Sequence, residues 1–151
     1  MARGNFRGGI HPPEYKALTE GAAIETLPSP AVVTIPMLQH LGVPADPLVK
    51  KGDEVAMGQA IGAAHGFVSA GVSASVSGTV KSVGPVAIAG GMSATGVTIA
   101  NDGEDRRDSS CTPIEDESKK SIIDAIARAG IVGMGGATFP SHVKLSPPAD
   151  K

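Results

Sequence analysis

Between residues 48 and 83 no apolar run extends far before a glycine-centred turn interrupts it. Leu48-Val49, Glu54-Val55, Ala60-Ile61, Val72-Ser73-Ala74-Ser75-Val76 and Thr79-Val80-Lys81-Ser82-Val83 read as short strands. Lys51-Gly52-Asp53, Met57-Gly58-Gln59 and Ser77-Gly78 separate them. Glycine reaches the backbone angles that tight reversals need, and Asp or Ser hydrogen-bonds its own turn. A helical bundle needs long uninterrupted stretches with a 3.6-residue period, which this region lacks. In 72–76 apolar and polar residues alternate strictly, so one face can be buried and the other solvated. The pattern predicts a mainly β unit, a small sandwich or barrel of short strands.

Composition agrees. With one Tyr, three Phe and no Trp, the core must be built from Val, Ile, Leu and Ala, and 20 Gly and 12 Pro punctuate the 151 residues. Ala31-Val32-Val33-Thr34-Ile35 adds a strand ended by Pro36, and Met37–Gly42 reads as a loop or helical turn. Val97-Thr98-Ile99-Ala100 is another strand, running into the turn Asn101-Asp102-Gly103. The formal net charge is −2 with both signs interspersed, and no basic stripe is present to neutralise a phosphate backbone, which argues against nucleic acid as a partner. The single Cys111 excludes an internal disulfide and cannot hold a zinc ion or iron–sulfur cluster by itself. No basic-then-apolar signal sequence is recognised at the start. The most apolar stretch, 83–100, is broken by Gly84, Pro85, Gly90, Gly91 and Gly96, so direct membrane insertion is not expected and any membrane association runs through other proteins.

Four regions follow from the pattern: an N-terminal arm over 1–30, a β-sandwich over 31–103, a polar linker over 104–112, and a helix plus Gly-rich loop over 113–151. The helix is expected at about 115–129. Thr112 would be its N-cap, Pro113 its first residue and Glu115 the partner in a capping box, or the start lies at Ser118 because 116–120 carries no apolar residue. Ile122, Ile126 and Ala129 share one face, and Gly130 can supply the left-handed stop.

The order Val49-Lys50-Lys51-Gly52-Asp53-Glu54-Val55, Gly58-Gln59, Ser77-Gly78-Thr79-Val80 resembles biotinyl and lipoyl carrier domains, whose fold is a barrel-sandwich hybrid of two interlocked hammerhead sheets. A carrier also needs a lysine at the tip of the hairpin joining its halves. The equivalent stretch here, His65-Gly66-Phe67-Val68-Ser69-Ala70-Gly71-Val72, contains none, and the nearest lysines, Lys51 and Lys81, flank the outer turns. The resemblance therefore implies the fold without the swinging-arm chemistry.

After the helix comes Gly133-Met134-Gly135-Gly136-Ala137-Thr138-Phe139-Pro140, followed by Lys144. Clustered glycines let backbone N–H groups approach a phosphate, and a nearby lysine adds compensating charge. The dinucleotide fingerprint fits poorly, because Thr138 stands at its third glycine and the loop follows a helix; the Walker pattern fails because Lys144 is too distant and no Ser or Thr follows it. The string resembles the loop of the NADH-binding flavoprotein subunit of respiratory complex I that contacts NADH and FMN. Carried across, that resemblance makes Gly133, Gly135, Gly136, Ala137, Phe139 and Lys144 the candidate cofactor-binding residues. In that family the position of Thr138 is usually Gly, and a β-branched side chain there is expected to narrow the space above the loop.

Further blocks extend the likeness: Arg7-Gly8-Gly9-Ile10-His11-Pro12-Pro13-Glu14, Ile35-Pro36-Met37-Leu38-Gln39-His40-Leu41-Gly42, Gly66-Phe67-Val68-Ser69, Ser75-Val76-Ser77-Gly78-Thr79-Val80, Asn101-Asp102-Gly103-Glu104-Asp105 and His142-Val143-Lys144-Leu145-Ser146-Pro147-Pro148. Together they resemble the RnfC family, the C-type component of the Rnf electron-transport complex. That resemblance implies a peripheral protein on the cytoplasmic face of the bacterial inner membrane. It would work with the other Rnf components, NADH and ferredoxin, through NADH and FMN sites and two 4Fe-4S clusters, while the complex moves Na⁺ or H⁺. The clusters need cysteine runs absent here, so they would lie beyond Lys151. The last region reads as the truncated start of an incomplete α/β nucleotide-binding domain, and the chain alone is expected to lack activity. The competing classes are a non-enzymatic docking module and a biotinyl or lipoyl carrier. Of the four histidines, His11, His40, His65 and His142 lack ligand spacing, and His40 reads as a structural hydrogen-bonding residue.

Overall fold

The computed structural model describes residues 13–110 and 112–147; Cys111, residues 7–12 of the block 7–14 with its His11, and Pro148 of the block 142–148 lie outside them. Two antiparallel sheets face each other. The larger has the order β1 (Val32–Pro36), β7 (Ser93–Asn101), β6 (Gly78–Ala87), β3 (Glu54–Val55), and the smaller β2 (Asp46–Pro47), β4 (Ala60–Ala63), β5 (Val72–Ser73). Between them lies an aliphatic core free of aromatic rings, centred on Met37, Val55, Ile61, Val80, Val97 and Ile99. Each such side chain contributes about 1.5–3 kcal/mol by leaving water. Pairs of short strands cannot stand alone, and it is this shared core that holds them.

The predicted turns extend the ladder of each sheet. At Lys51-Gly52-Asp53 the Gly52 N–H donates to the Val80 carbonyl and the Val80 N–H to that of Asp53, at 2.8 and 2.9 Å. At Met57-Gly58-Gln59 the Gly58 N–H donates to Ala74 and the Ala74 N–H to Gln59, both at 2.8 Å. Gly78 is required for close approach: its φ is +147°, and a Cβ built there would lie 1.9 Å from the Ala100 carbonyl oxygen. Beside it, the fully buried Ser77 donates its hydroxyl to Asp102 at 2.6 Å and accepts from the Arg106 N–H at 3.1 Å. Asp102 also accepts from the Glu104 N–H and the Arg106 guanidinium. These donors, Ser77 first, hold its carboxyl at about 2, well below the ordinary value of 3.8.

Several expectations are corrected. The strand expected at Leu48-Val49 lies at Asp46–Pro47, which pairs with Gly62–Ala63; Leu48 keeps one bond, its N–H to the Ile61 carbonyl, as the chain leaves the sheet. The strand expected over 72–76 is a ladder only at Val72–Ser73, although Val72, Ala74 and Val76 are buried and Ser73 and Ser75 exposed, as the alternation required. The strands expected at 79–83 and 97–100 belong to one long hairpin, β6–β7, in which Gly84 pairs with Gly96 and Pro85 with Thr95. The polar stretch 104–108 stays attached to the sandwich: the Met57 N–H donates to Arg106 and the Asp108 N–H to Met57.

The helix α1 runs over Lys119–Arg128 with Ser118 as N-cap, its hydroxyl accepting from the Ser121 N–H. The Thr112–Glu115 capping box does not form; Asp116, bonded to Ser118 and Ser121, organises the entry instead. Gly130 ends the helix as expected: at φ +65° it lets the Ile131 N–H bond back to Ile126 and its own to Ala127. Ile122 and Ala129 are exposed, so the expected apolar face is only partly covered, through Ile123, Ile126 and Ala127. A four-residue helix α2 (Ser141–Lys144), unmarked by the sequence pattern, follows. Residues 13–31 are exposed throughout. No helix among the described residues is long and apolar enough to cross a membrane.

Candidate functional site

The Gly-rich segment is a small hairpin rather than an open string. Val132 bridges Pro140, the Gly133 N–H donates to the Phe139 carbonyl at 3.0 Å, and the Ser141 N–H to that of Ile131 at 2.9 Å. Gly133 therefore supplies no free donor; its amide closes the loop. At the tip, the N–H groups of Met134, Gly135 and Gly136 find no acceptor among the described residues. A Cβ added to Gly135 or Gly136 would meet nothing within 4 Å.

Of the six residues singled out from sequence, Gly133, Phe139 and Lys144 come together. The exposed Lys144 ammonium lies 5.9 Å from the centroid of the Phe139 ring, and 3.3 Å from where a Gly133 Cβ would stand. A cation near a half-buried ring such as this gains roughly 0.5–1 kcal/mol. No described carboxylate pairs with it. Gly135 and Gly136 form the open tip. Ala137 faces the other way, its carbonyl accepting from the Leu41 N–H of the sandwich at 3.0 Å.

Thr138 has φ +50°, a left-handed conformation costly for a β-branched residue, which gives the physical reason a glycine suits this position. Its hydroxyl does not rise above the loop: it is turned to the Gln39 carbonyl at 2.8 Å and to its neighbour Ala137 at 2.7 Å. His40, expected to be structural, is buried; its Nε2 lies 3.0 Å from the Ala70 amide nitrogen and 3.1 Å from the Val43 carbonyl oxygen. His142 Nε2 donates to the Phe67 carbonyl at 3.0 Å, with the two rings edge-to-face at 6.1 Å. These two contacts were not foreseen, yet the blocks 35–42, 66–69 and 142–148 that carried the sequence resemblance are the ones that meet here. A cleft of about 210 Å³ lies between Gln39, His40, Ala70–Ser73, Ala129, Gly130 and Val132.

The arrangement offers clustered amide donors and one cation to an anionic group. Among the described residues no group of three His, Cys, Asp or Glu side chains is placed to hold a metal ion.

Residues 4–104 match the family model described as the RnfC barrel sandwich hybrid domain. The chain is 47% identical to the C component of the Na⁺-translocating ferredoxin:NAD⁺ oxidoreductase complex of Acetobacterium woodii, over 100% of this chain and 35% of that protein. It is 45% identical to the C component of the proton-translocating ferredoxin:NAD⁺ oxidoreductase complex of Clostridium ljungdahlii, over 97% and 33%. Against the C component of the ion-translocating oxidoreductase complex of Rhodobacter capsulatus the identity is 44%, over 94% and 28%. The chain thus spans from 18% to 35% of the length of these and other curated relatives it matches.

Proposed function

The chain belongs to the RnfC barrel-sandwich hybrid family, and we propose that it forms the sandwich and first nucleotide-contacting loop of an RnfC protein in an ion-translocating ferredoxin:NAD⁺ oxidoreductase complex. The supporting observation is continuity. The match to the Acetobacterium woodii relative covers 100% of this chain and so takes in the glycine hairpin and Lys144 as well as the sandwich; the hairpin presents the unpartnered amides of its tip beside that lysine.

In this reading Met134, Gly135 and Gly136 donate backbone N–H groups to the phosphates of NADH or FMN, and Lys144 supplies the compensating charge. A flavin bound there would supply the redox chemistry that links NAD(H) to ferredoxin, while these residues would hold its phosphate. The residues present fit the phosphate end of such a cofactor and do not fit an iron–sulfur cluster, since the chain has a single cysteine. The protein would sit on the cytoplasmic membrane face through its partners in the complex. The uncharged end of the β6–β7 hairpin, with no ionisable residue from Ser82 to Asn101 and Met92 exposed, favours a docking role as a second reading.

Grafting this chain in place of the corresponding stretch of the Acetobacterium woodii relative separates the two. Under the nucleotide reading, membranes keep NADH-linked ferredoxin turnover, and Lys144→Gln in the graft lowers it about 10–100-fold, as expected for loss of a charged hydrogen bond. An assembled graft with turnover indifferent to Lys144→Gln leaves only the docking role.

A further inference from the structure

Four contacts tie the glycine hairpin to two loops of the sandwich. Ala137 accepts from Leu41, Thr138 donates to Gln39, His142 donates to Phe67, and Gly130 packs on Gly71 so closely that a Cβ would lie 2.2 Å from the Gly71 carbonyl oxygen. Two of these anchors are in the 65–71 turn, the place where a carrier domain displays its lysine. The other two are in the neighbouring 39–41 turn. His40 joins the two turns through the Ala70 N–H.

The geometry points to a seat: the 39–43 and 65–71 turns hold the hairpin so that the unpartnered amides of 134–136 project outward, with Thr138 and His142 as its positioning residues. The part of this concerning ligand rests on the reading of the loop as a phosphate-contacting site. The anchors flank the tip on its C-terminal side and at the helix exit, leaving 134–136 as the untethered section. Thr138 is the critical anchor because its left-handed backbone is unfavourable alone and its single hydroxyl proton is placed between the carbonyls of Gln39, at 2.8 Å, and Ala137, at 2.7 Å. The corresponding carrier turn presents a flexible arm; here its tip stays exposed while the Phe67 carbonyl and Gly71 contact the element it orients.

Amide hydrogen exchange on the 151-residue chain tests the seat, with Thr138→Val, which keeps the branched shape and removes the donor, and Thr138→Ser, which keeps the donor. In Thr138→Val the Leu41 and Gly133 amides should exchange at least about tenfold faster, while the Met37 and Val80 amides of the sandwich stay as in the parent. Thr138→Ser should restore protection to within about twofold. His142→Phe, which keeps the edge-to-face ring and removes the N–H donor, should speed Ser141 exchange likewise. Unchanged Leu41 protection in Thr138→Val, or failure of Thr138→Ser to restore it, overturns the proposal. Inorganic phosphate titrated into the same samples separates ligand from seat. Amide shifts at 134–136 that weaken in Thr138→Val and return in Thr138→Ser support both. Absence of such shifts in the parent, with the exchange pattern intact, keeps the seat and removes the phosphate reading.

Discussion

The hydroxyl of Ser77 and the carboxylate of Asp102 are 2.6 Å apart across the exit of β7, and with the Arg106 amide they close the open end of the sandwich. Ser77 is fully buried, so Ser77→Ala leaves the Arg106 N–H without its acceptor and Asp102 without its strongest donor. The expected loss is about 1–3 kcal/mol, read as a lowered urea midpoint at unchanged slope.

Acid should act through the same pair. The folded value of Asp102, about 2, lies below the ordinary 3.8, so its stabilising contribution is present above the ordinary value and fades as pH falls through about 2. Between about pH 6 and 2.5 the parent should lose more stability than Asp102→Asn does, measured by denaturant midpoints. Equal losses would remove the assignment.

Gly78→Ala forces a Cβ into the Ala100 carbonyl at a backbone angle unsuited to it, and should cost about 2–4 kcal/mol. Gly84→Ala, on the same strand with nothing within 4 Å, is the control and should change stability by less than about 0.5 kcal/mol. Thermal melts of the two variants distinguish local collision from a general intolerance of β6.

Gly130→Ala should detach rather than unfold. Its Cβ collides with Gly71, between the helix exit and the seat, while the sandwich core lies elsewhere. Faster exchange at Leu41 and Ser141 is expected, with Val80 unaffected; a uniform loss of protection would show that the helix and sandwich form one cooperative unit.

No covalent arm should attach. Incubation with biotin or lipoate ligase is expected to leave the intact mass unchanged, because the 64–71 turn lacks a lysine and is occupied by Phe67–His142 and Gly71–Gly130 contacts. A biotinyl or lipoyl mass increment would restore the carrier role.

Much of the fold was readable from turn chemistry. Gly52-Asp53 and Gly58-Gln59 form the reversals their residue types suggest, and the alternation of 72–76 appears as burial even where the ladder stops. What misled were features decided by distant pairing. Leu48-Val49 has stronger strand character than Asp46-Pro47, yet the register with Gly62–Ala63 selects the latter. Gly84 and Pro85 look like breaks, and they sit within a ten-residue strand because β7 pairs along its length. For the helix, the stronger local signal at Thr112 lost to Ser118, where the first apolar residues begin. At the candidate site the sequence singled out the loop and the lysine, which the fold places close together. It could not show that Gly133's amide is used internally, nor that Thr138 turns its hydroxyl to Gln39, since both depend on hairpin closure against the sandwich.

The most direct measurement is an NADH titration of the ¹⁵N-labelled chain followed by amide shifts. Binding at about millimolar strength is expected, with shifts confined to Met134, Gly135, Gly136 and their neighbours and abolished in Lys144→Gln. Shifts absent from 134–136 at saturating NADH, or unaltered by Lys144→Gln, would contradict the assignment of this loop to the nucleotide.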